Sequence, residues 1–162
     1  MNPCLFCNLY KDPHSLVGGI VYEDAFVYAY HYAQGEGLNY LGHLLLVTKR
    51  HVPGLAELND AEGQAVGLSL ARLSTALKAS TGADKVYAEA YYEVNPHLHV
   101  HLVARYPATP PAYWRSKIGD WPDAPKGGQE AITALCERLK TQLASGLPMN
   151  ASEREQNGER LA

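Results

Sequence analysis

A chain of 162 residues fits one domain and can bury roughly two thirds of the surface its unfolded form exposes, so it needs no disulfide framework to fold. Hydrophobic residues make up 46% and charged residues 19%, the balance of a globular protein. The net charge of −3 excludes a protein that coats nucleic acid, which would carry a basic surplus or stripe. The longest uninterrupted aliphatic run, Leu44–Val47, falls far short of the ~20 residues of a membrane span. Residues 1–10 lack the basic start and apolar core of a secretory signal. The expectation is a cytoplasmic protein with no membrane partner. Eleven Tyr against two Phe is an unusual aromatic balance. A Tyr ring carries a hydroxyl at its edge, which suits half-buried strands and pocket walls.

In chain order, the first feature is Cys4-x-x-Cys7. In a reducing compartment such a pair is metal-binding or redox-active rather than a structural disulfide. After Gly18-Gly19, residues 20–22 and 26–30 read as two strands turned at Glu23-Asp24. Residues 34–39 read as a loop, and 43–48 as a buried strand followed by the basic pair Lys49-Arg50. Asn59 with Glu62 has capping-box spacing. Val66, Leu70, Leu73 and Leu77 then recur at helical spacing until Gly82. Residues 86–92 and 97–104 alternate as strands. Residues 107–125 form a proline-rich excursion containing Trp114 and Trp121. Ile132, Leu135, Leu139 and Leu143 place a second helix over 130–143, ended by Gly146, with Cys136 on its apolar side. Residues 147–162 are polar and aperiodic, the pattern of a frayed tail. Strands cluster without repeated βαβ units, which predicts an α+β domain with a mainly antiparallel sheet. The expected organisation is one domain over 1–146, in which 107–146 is a C-terminal extension.

His97-Leu98-His99-Val100-His101-Leu102-Val103 carries the chemistry. Strand side chains alternate between faces. The three histidines therefore share one face, and Leu98, Val100 and Leu102 share the other. Three readings are open. The histidines are surface or hydrogen-bonded residues, or they are ligands of a catalytic metal. In the third reading one imidazole is a nucleophile, taking up a phosphoryl or nucleotidyl group and losing it to water while a neighbour protonates the leaving oxygen. Cys4 and Cys7 likewise stand either as metal ligands or as reduced thiols packed against Leu5 or Phe6. His14 and His31 read as surface or hydrogen-bonded residues. Lys49 and Arg50 read as a solvated pair, and Arg105 as a solvated strand-end charge.

The seven residues from His97 to Val103 resemble, at every position, the His-φ-His-φ-His-φ-φ signature of the histidine-triad (HIT) superfamily of nucleotide hydrolases and transferases. Gly42 to His51 is similar to that family's Gly-His-x-Leu-Val-x-Pro-Lys-x-His segment, with Thr48 in place of the proline. Val21 to Asp24 and the helix from Asn59 to Thr81 stand where the family has its opening hairpin and long helix, so the likeness covers residues 4–106. It implies a HIT-like fold: an antiparallel sheet of about five strands with two helices, dimerising by joining two sheets. It implies a hydrolase or nucleotidyl transferase acting at the α-phosphate of a purine nucleotide, either a dinucleoside polyphosphate or a nucleoside phosphoramidate. His99 would be the nucleophile. His101 would assist the leaving group, His43 would complete the cluster, and His97 would orient the strand. Substrate binding falls to Asn95, His97, His99 and His101, with Asn95 also readable as a turn residue before Pro96. In bacterial-type members with an N-terminal cysteine pair, Cys4, Cys7, His51 and His97 would hold a structural zinc; two thiolates and two imidazoles make a closed tetrahedral set. No organic cofactor is implied. Two further positions depart from the family: Glu93 replaces a Gln ahead of the triad, and Tyr32 stands where many members carry a ribose-binding Asp. They favour the alternative of a zinc-stabilised nucleotide-binding regulatory module with weak or no catalysis.

Overall fold

The structure, a computed structural model, describes residues 4–145. Gly146 and the tail expected over 147–162 lie outside the described residues. The strands are β1 (Ile20–Glu23), β2 (Val27–His31), β3 (Asn39–Tyr40), β4 (His43–Thr48), β5 (Lys85–Glu89), β6 (His99–Arg105) and β7 (Lys126–Gly127). The α-helices are α1 (Leu5–Lys11), α2 (Asp60–Thr81) and α3 (Gln129–Ala144). Five strands form one antiparallel sheet in the order β1-β2-β4-β6-β5. The expected five-stranded antiparallel sheet is present, and α1 is a helix beyond the two expected. No helix among the described residues is long and apolar enough to cross a membrane.

Both faces of the central strands are covered. Every residue of β2 is buried, and its alternation sorts Val27 and Ala29 to one face and Tyr28 and Tyr30 to the other. The first face, with Leu44, Leu46, Val100 and Leu102, packs against Leu73 and Leu77 of α2 and Ile132, Leu135 and Leu139 of α3. Cys136 is wholly buried there, as expected. Truncating Leu73 or Leu77 to Ala would cost about 2–5 kcal/mol, the range for well-packed core leucines. On the second face Tyr28, Tyr30, Leu45 and Val47 pack against Phe6 of α1.

The capping box at Asn59 is complete. The Asn59 side chain accepts from Glu62 N–H at 3.0 Å, and Asn59 N–H donates to Glu62 Oε2 at 3.0 Å. Glu62 also accepts two 2.6 Å hydrogen bonds from Arg50, which hold its carboxyl down to about 2. Gly82 closes α2 in the left-handed region at φ 70°, a conformation that glycine adopts without a Cβ penalty. The basic turn is thus tied to α2 through Arg50 rather than left solvated. Lys49 pairs with Glu23 at 2.7 Å, which ties the turn to β1 as well.

The excursion over 107–125 is made of short 3-10 turns and returns to the body at β7, which pairs with β3. Its near end is fixed by Trp114. The ring lies 4.6 Å from the Arg105 guanidinium, and its N–H donates to the Thr109 carbonyl at 2.8 Å. Arg105 also pairs with Asp84 at 3.3 Å, so the strand-end charge is held on two sides.

Candidate functional site

The site is built on the second face of the sheet, from the adjacent strands β4 and β6. Cross-strand partners in an antiparallel pair share a face. Val47 is opposite His99, Leu45 opposite His101, and His43 opposite Val103. His43 and His101 are therefore diagonal neighbours. Their rings meet, with His43 Nε2 and His101 Nδ1 2.8 Å apart. His99 and His101 have ring centroids 5.2 Å apart.

His43 is aimed by the turn that precedes it. Gly42 lies at φ 88°, and a Cβ there would sit 2.9 Å from the Ala104 Cβ, so both backbone angle and space demand glycine. The Gly42 N–H donates to Nε2 of His31 at 3.2 Å. His31 is 1% exposed, and burial pushes it down to about 4, so it stays a neutral acceptor at neutral pH. Of the two readings left open for His31, the buried hydrogen-bonded one holds. His14 is exposed in a 3-10 turn.

Two backbone carbonyls fix which nitrogen is free in two of the three triad imidazoles, His97 and His99. A carbonyl only accepts, so a ring nitrogen facing one must carry the proton. His99 Nδ1–H donates to the His97 carbonyl at 2.7 Å, which leaves Nε2 with the lone pair. His97 Nε2–H donates to the Thr48 carbonyl at 2.7 Å, which leaves Nδ1 with the lone pair. Burial lowers His43, His97 and His101. His43, also beside His101 and His31, is pushed down to about 3.

The free Nδ1 of His97 faces sulfur. Cys4 Sγ lies 3.2 Å from it and Cys7 Sγ 3.6 Å, while Cys7 Sγ lies 3.5 Å from His51 Nδ1. The four donor atoms of Cys4, Cys7, His51 and His97 all lie within 4.8 Å of one another. Metal–ligand bonds of ~2.0–2.3 Å in a tetrahedron require ligand–ligand edges of roughly 3.3–3.8 Å; three separations here are 3.2–3.6 Å and the others stay within 4.8 Å, so this donor set fits a zinc ion with a small inward shift of its longer edges. The carbonyl behind His97 is the outer partner that ligating histidines commonly have. Burial, and then Cys4, raise the Cys7 thiol; a bound cation would reverse that by favouring the thiolate. Zinc would supply a structural clamp here, because all four positions are filled by protein groups.

Two aromatic side chains wall the histidines, and the sequence pattern gave neither of them that role. Phe6, on the short helix between the two cysteines, lies 4.4 Å from the His99 ring and covers it, leaving His99 5% exposed. Its carbonyl accepts from Tyr28 Oη at 2.8 Å. Tyr32, just past β2, lies 4.7 Å from His43 and 6.3 Å from His101. Gln34 Nε2 donates to its hydroxyl at 2.6 Å. The other predicted residue stands apart: Asn95 is in the turn before His97, where its carbonyl accepts from the His97 N–H at 2.7 Å. Glu93 is exposed in the same connection.

No curated protein sequence matches the chain. Solved structures do. A HIT-like protein involved in cell-cycle regulation from Bartonella henselae, with an unknown ligand, superposes with a TM-score of 0.65 at 18% identity, covering 88% of this chain and 98% of that one. A hypothetical histidine triad nucleotide-binding protein from Sulfolobus tokodaii gives 0.66 at 19% identity, over 88% and 93%. A Zn-bound histidine triad family protein from Mycobacterium smegmatis gives 0.64 at 19% identity, over 88% and 94%. These likenesses establish the shared fold. The family model of the HIT domain matches residues 18–108, more than half of the sequence, and the chain belongs to the HIT domain family.

Proposed function

We propose that the chain is a nucleotide hydrolase or nucleotidyl transferase that acts at the α-phosphate of a purine nucleotide through a covalent intermediate on His99. The observation that carries this reading is the hydrogen bond from His99 Nδ1–H to the His97 carbonyl, which leaves Nε2 as a neutral nucleophile beside a second imidazole. An imidazole pair of this kind supplies nucleophile and acid from one strand.

His43 is kept neutral by burial, so its Nε2 accepts from Nδ1–H of His101 once that ring is protonated. The anionic phosphate arriving beside His101 favours that protonated form. His99 Nε2 then attacks the α-phosphorus as the bond to the leaving group breaks. The leaving atom takes the Nε2 proton of His101. Water attacks next, His101 takes back a proton, and the nucleoside monophosphate departs. His43 is a positioning residue in this scheme. His99 and His101 face the substrate in this scheme, with Asn95 assigned to bind it alongside them, whereas His97, whose two ring nitrogens face the Thr48 carbonyl and the thiols, orients the strand. Zinc on Cys4, Cys7, His51 and His97 would tie α1 to the strand that bears the nucleophile. The reading includes a homodimer formed by joining two sheets, and a reducing cytoplasmic compartment, in keeping with three cysteines none of which is in a disulfide.

The test is incubation with diadenosine polyphosphates and adenosine phosphoramidate, comparing wild type with His99→Ala. Release of nucleoside monophosphate by the wild type alone supports the assignment, and an acid-labile nucleotidyl–protein adduct trapped in the wild type would strengthen it. Near-normal turnover by His99→Ala overturns it.

A further inference from the structure

The register of the sheet puts on the face of the histidine cluster an acidic residue that the motif does not contain. His101 is flanked directly by Leu45 on β4 and by Glu89 on β5. Directly opposed residues in an antiparallel pair project from one face, with Cβ atoms about 4.5–5.5 Å apart. His101 projects to the face where it meets His43, so Glu89 projects there too. Glu89 is half-buried at the end of the edge strand, and His101 is half-buried beside it. Among the described residues Glu89 enters no ion pair.

Three cations on the strands and turn around this face are engaged by neighbours, and Lys85, at the far end of β5, is exposed. Lys49 is held by Glu23 at 2.7 Å, Arg50 by Glu62 at 2.6 Å, and Arg105 by Asp84 at 3.3 Å and the Trp114 ring. A polyphosphate leaving group carries several negative charges and calls for cations or a metal where it leaves. Here the residue that the register sets opposite the proposed acid, on the same face, is an acidic one.

We propose that Glu89 is the specificity-determining residue for the leaving group, favouring an amine that bears a second, positively charged amino group over a polyphosphate. The proposal rests on the reading that His99 attacks the α-phosphate and His101 protonates the departing atom. In the step so defined, the bond from His99 Nε2 to phosphorus forms as the phosphoramidate P–N bond breaks. The departing nitrogen takes the proton of His101. The remote ammonium of the amine pairs with the Glu89 carboxylate throughout, so Glu89 neither gains nor loses a proton. Water then cleaves the His99–phosphorus bond, returning a proton to His101 and releasing nucleoside monophosphate.

The experiment compares kcat/KM on three probes: the adenosine 5′-phosphoramidate of 1,4-diaminobutane, that of butylamine, and diadenosine tetraphosphate. Wild type is expected to prefer the diamine probe to the butylamine probe by about tenfold at low salt, the scale of one partly screened charge pair. Glu89→Gln is expected to abolish that preference and to raise turnover of the tetraphosphate about tenfold by removing the repulsion. The wild-type preference should also shrink as ionic strength rises, a readout that needs no variant. His99-dependent turnover with the same probe ratios in wild type and Glu89→Gln overturns the Glu89 assignment alone. No His99-dependent turnover of any probe overturns both this assignment and the reading on which it rests.

Discussion

His97 and His99 sit two residues apart and have opposite tautomers. His97 gives its Nε2 proton to the Thr48 carbonyl and turns Nδ1 toward two thiols. His99 gives its Nδ1 proton to the His97 carbonyl and leaves Nε2 free. One histidine is thereby shaped as a metal ligand and the next as a nucleophile, although the motif writes them as the same letter. Residue type alone does not assign the role; the carbonyl behind each ring does.

The largest expected break in this comparison comes from His99→Ala. Turnover should fall by about 10^4-fold or more, as it does when a covalent nucleophile is removed, while circular dichroism stays native and the melting temperature drops by only a few degrees for the lost packing against Phe6. His101→Ala should cost less, about 10^2–10^4-fold. That loss should shrink for a substrate whose leaving group departs without a proton, such as a p-nitrophenyl ester of a nucleoside monophosphate. An equal loss on all leaving groups would remove His101 from the acid role. Cys4→Ser should act at the other end of the comparison. Bound zinc, measured by atomic absorption, should be lost and the melting temperature should drop by roughly 5–10 °C, with a smaller change in kcat. Equal melting temperatures with and without zinc would rule out a structural clamp.

Acid tests the buried rings away from the triad. Burial depresses His31 to about 4 and His43 to about 3, below the 6.5 of an exposed imidazole. Below pH 6.5 the unfolded chain therefore binds more protons than the folded one. Stability from these two residues is intact above pH 6.5 and is lost as pH falls toward their folded values. The loss is up to about 1.4 kcal/mol per pH unit for each residue. Denaturant melts at pH 7.5 and 5.0 should differ accordingly, and His31→Asn should reduce the difference.

Much of this arrangement was legible in the sequence where a rule links neighbours. Alternation put the three histidines on one face, and Asn59 with Glu62 announced the start of α2. The bounds of β4 fell where expected, and α3 begins at Gln129, one residue early. Helix α1 was not legible. It has seven residues, and Cys4 at its start makes no side-chain cap, so it lacks the length and signals that mark a helix. Packing of Phe6 beneath His99 holds it instead. His31 was left as one of two readings because its partner is a backbone N–H eleven residues away. Tyr32 was noticed only as the absence of an Asp, whereas its ring is a wall for His43 and His101. Glu89 could not be found at all without the β5–β6 register, which depends on how two strands slide and not on either strand's composition.

The excursion between β6 and β7 is fastened at both of its ends, by the Arg105–Trp114 stack at one and the β3–β7 ladder at the other. Chain added between those fasteners would not pull on Gly42 or His43. Lengthening an already closed loop is cheap, about 0.6 kcal/mol per doubling. The exposed step between Ser116 and Lys117, ahead of the buried Ile118, is therefore a place where a fluorophore-bearing peptide or an affinity tag can be inserted with the histidine cluster left in register.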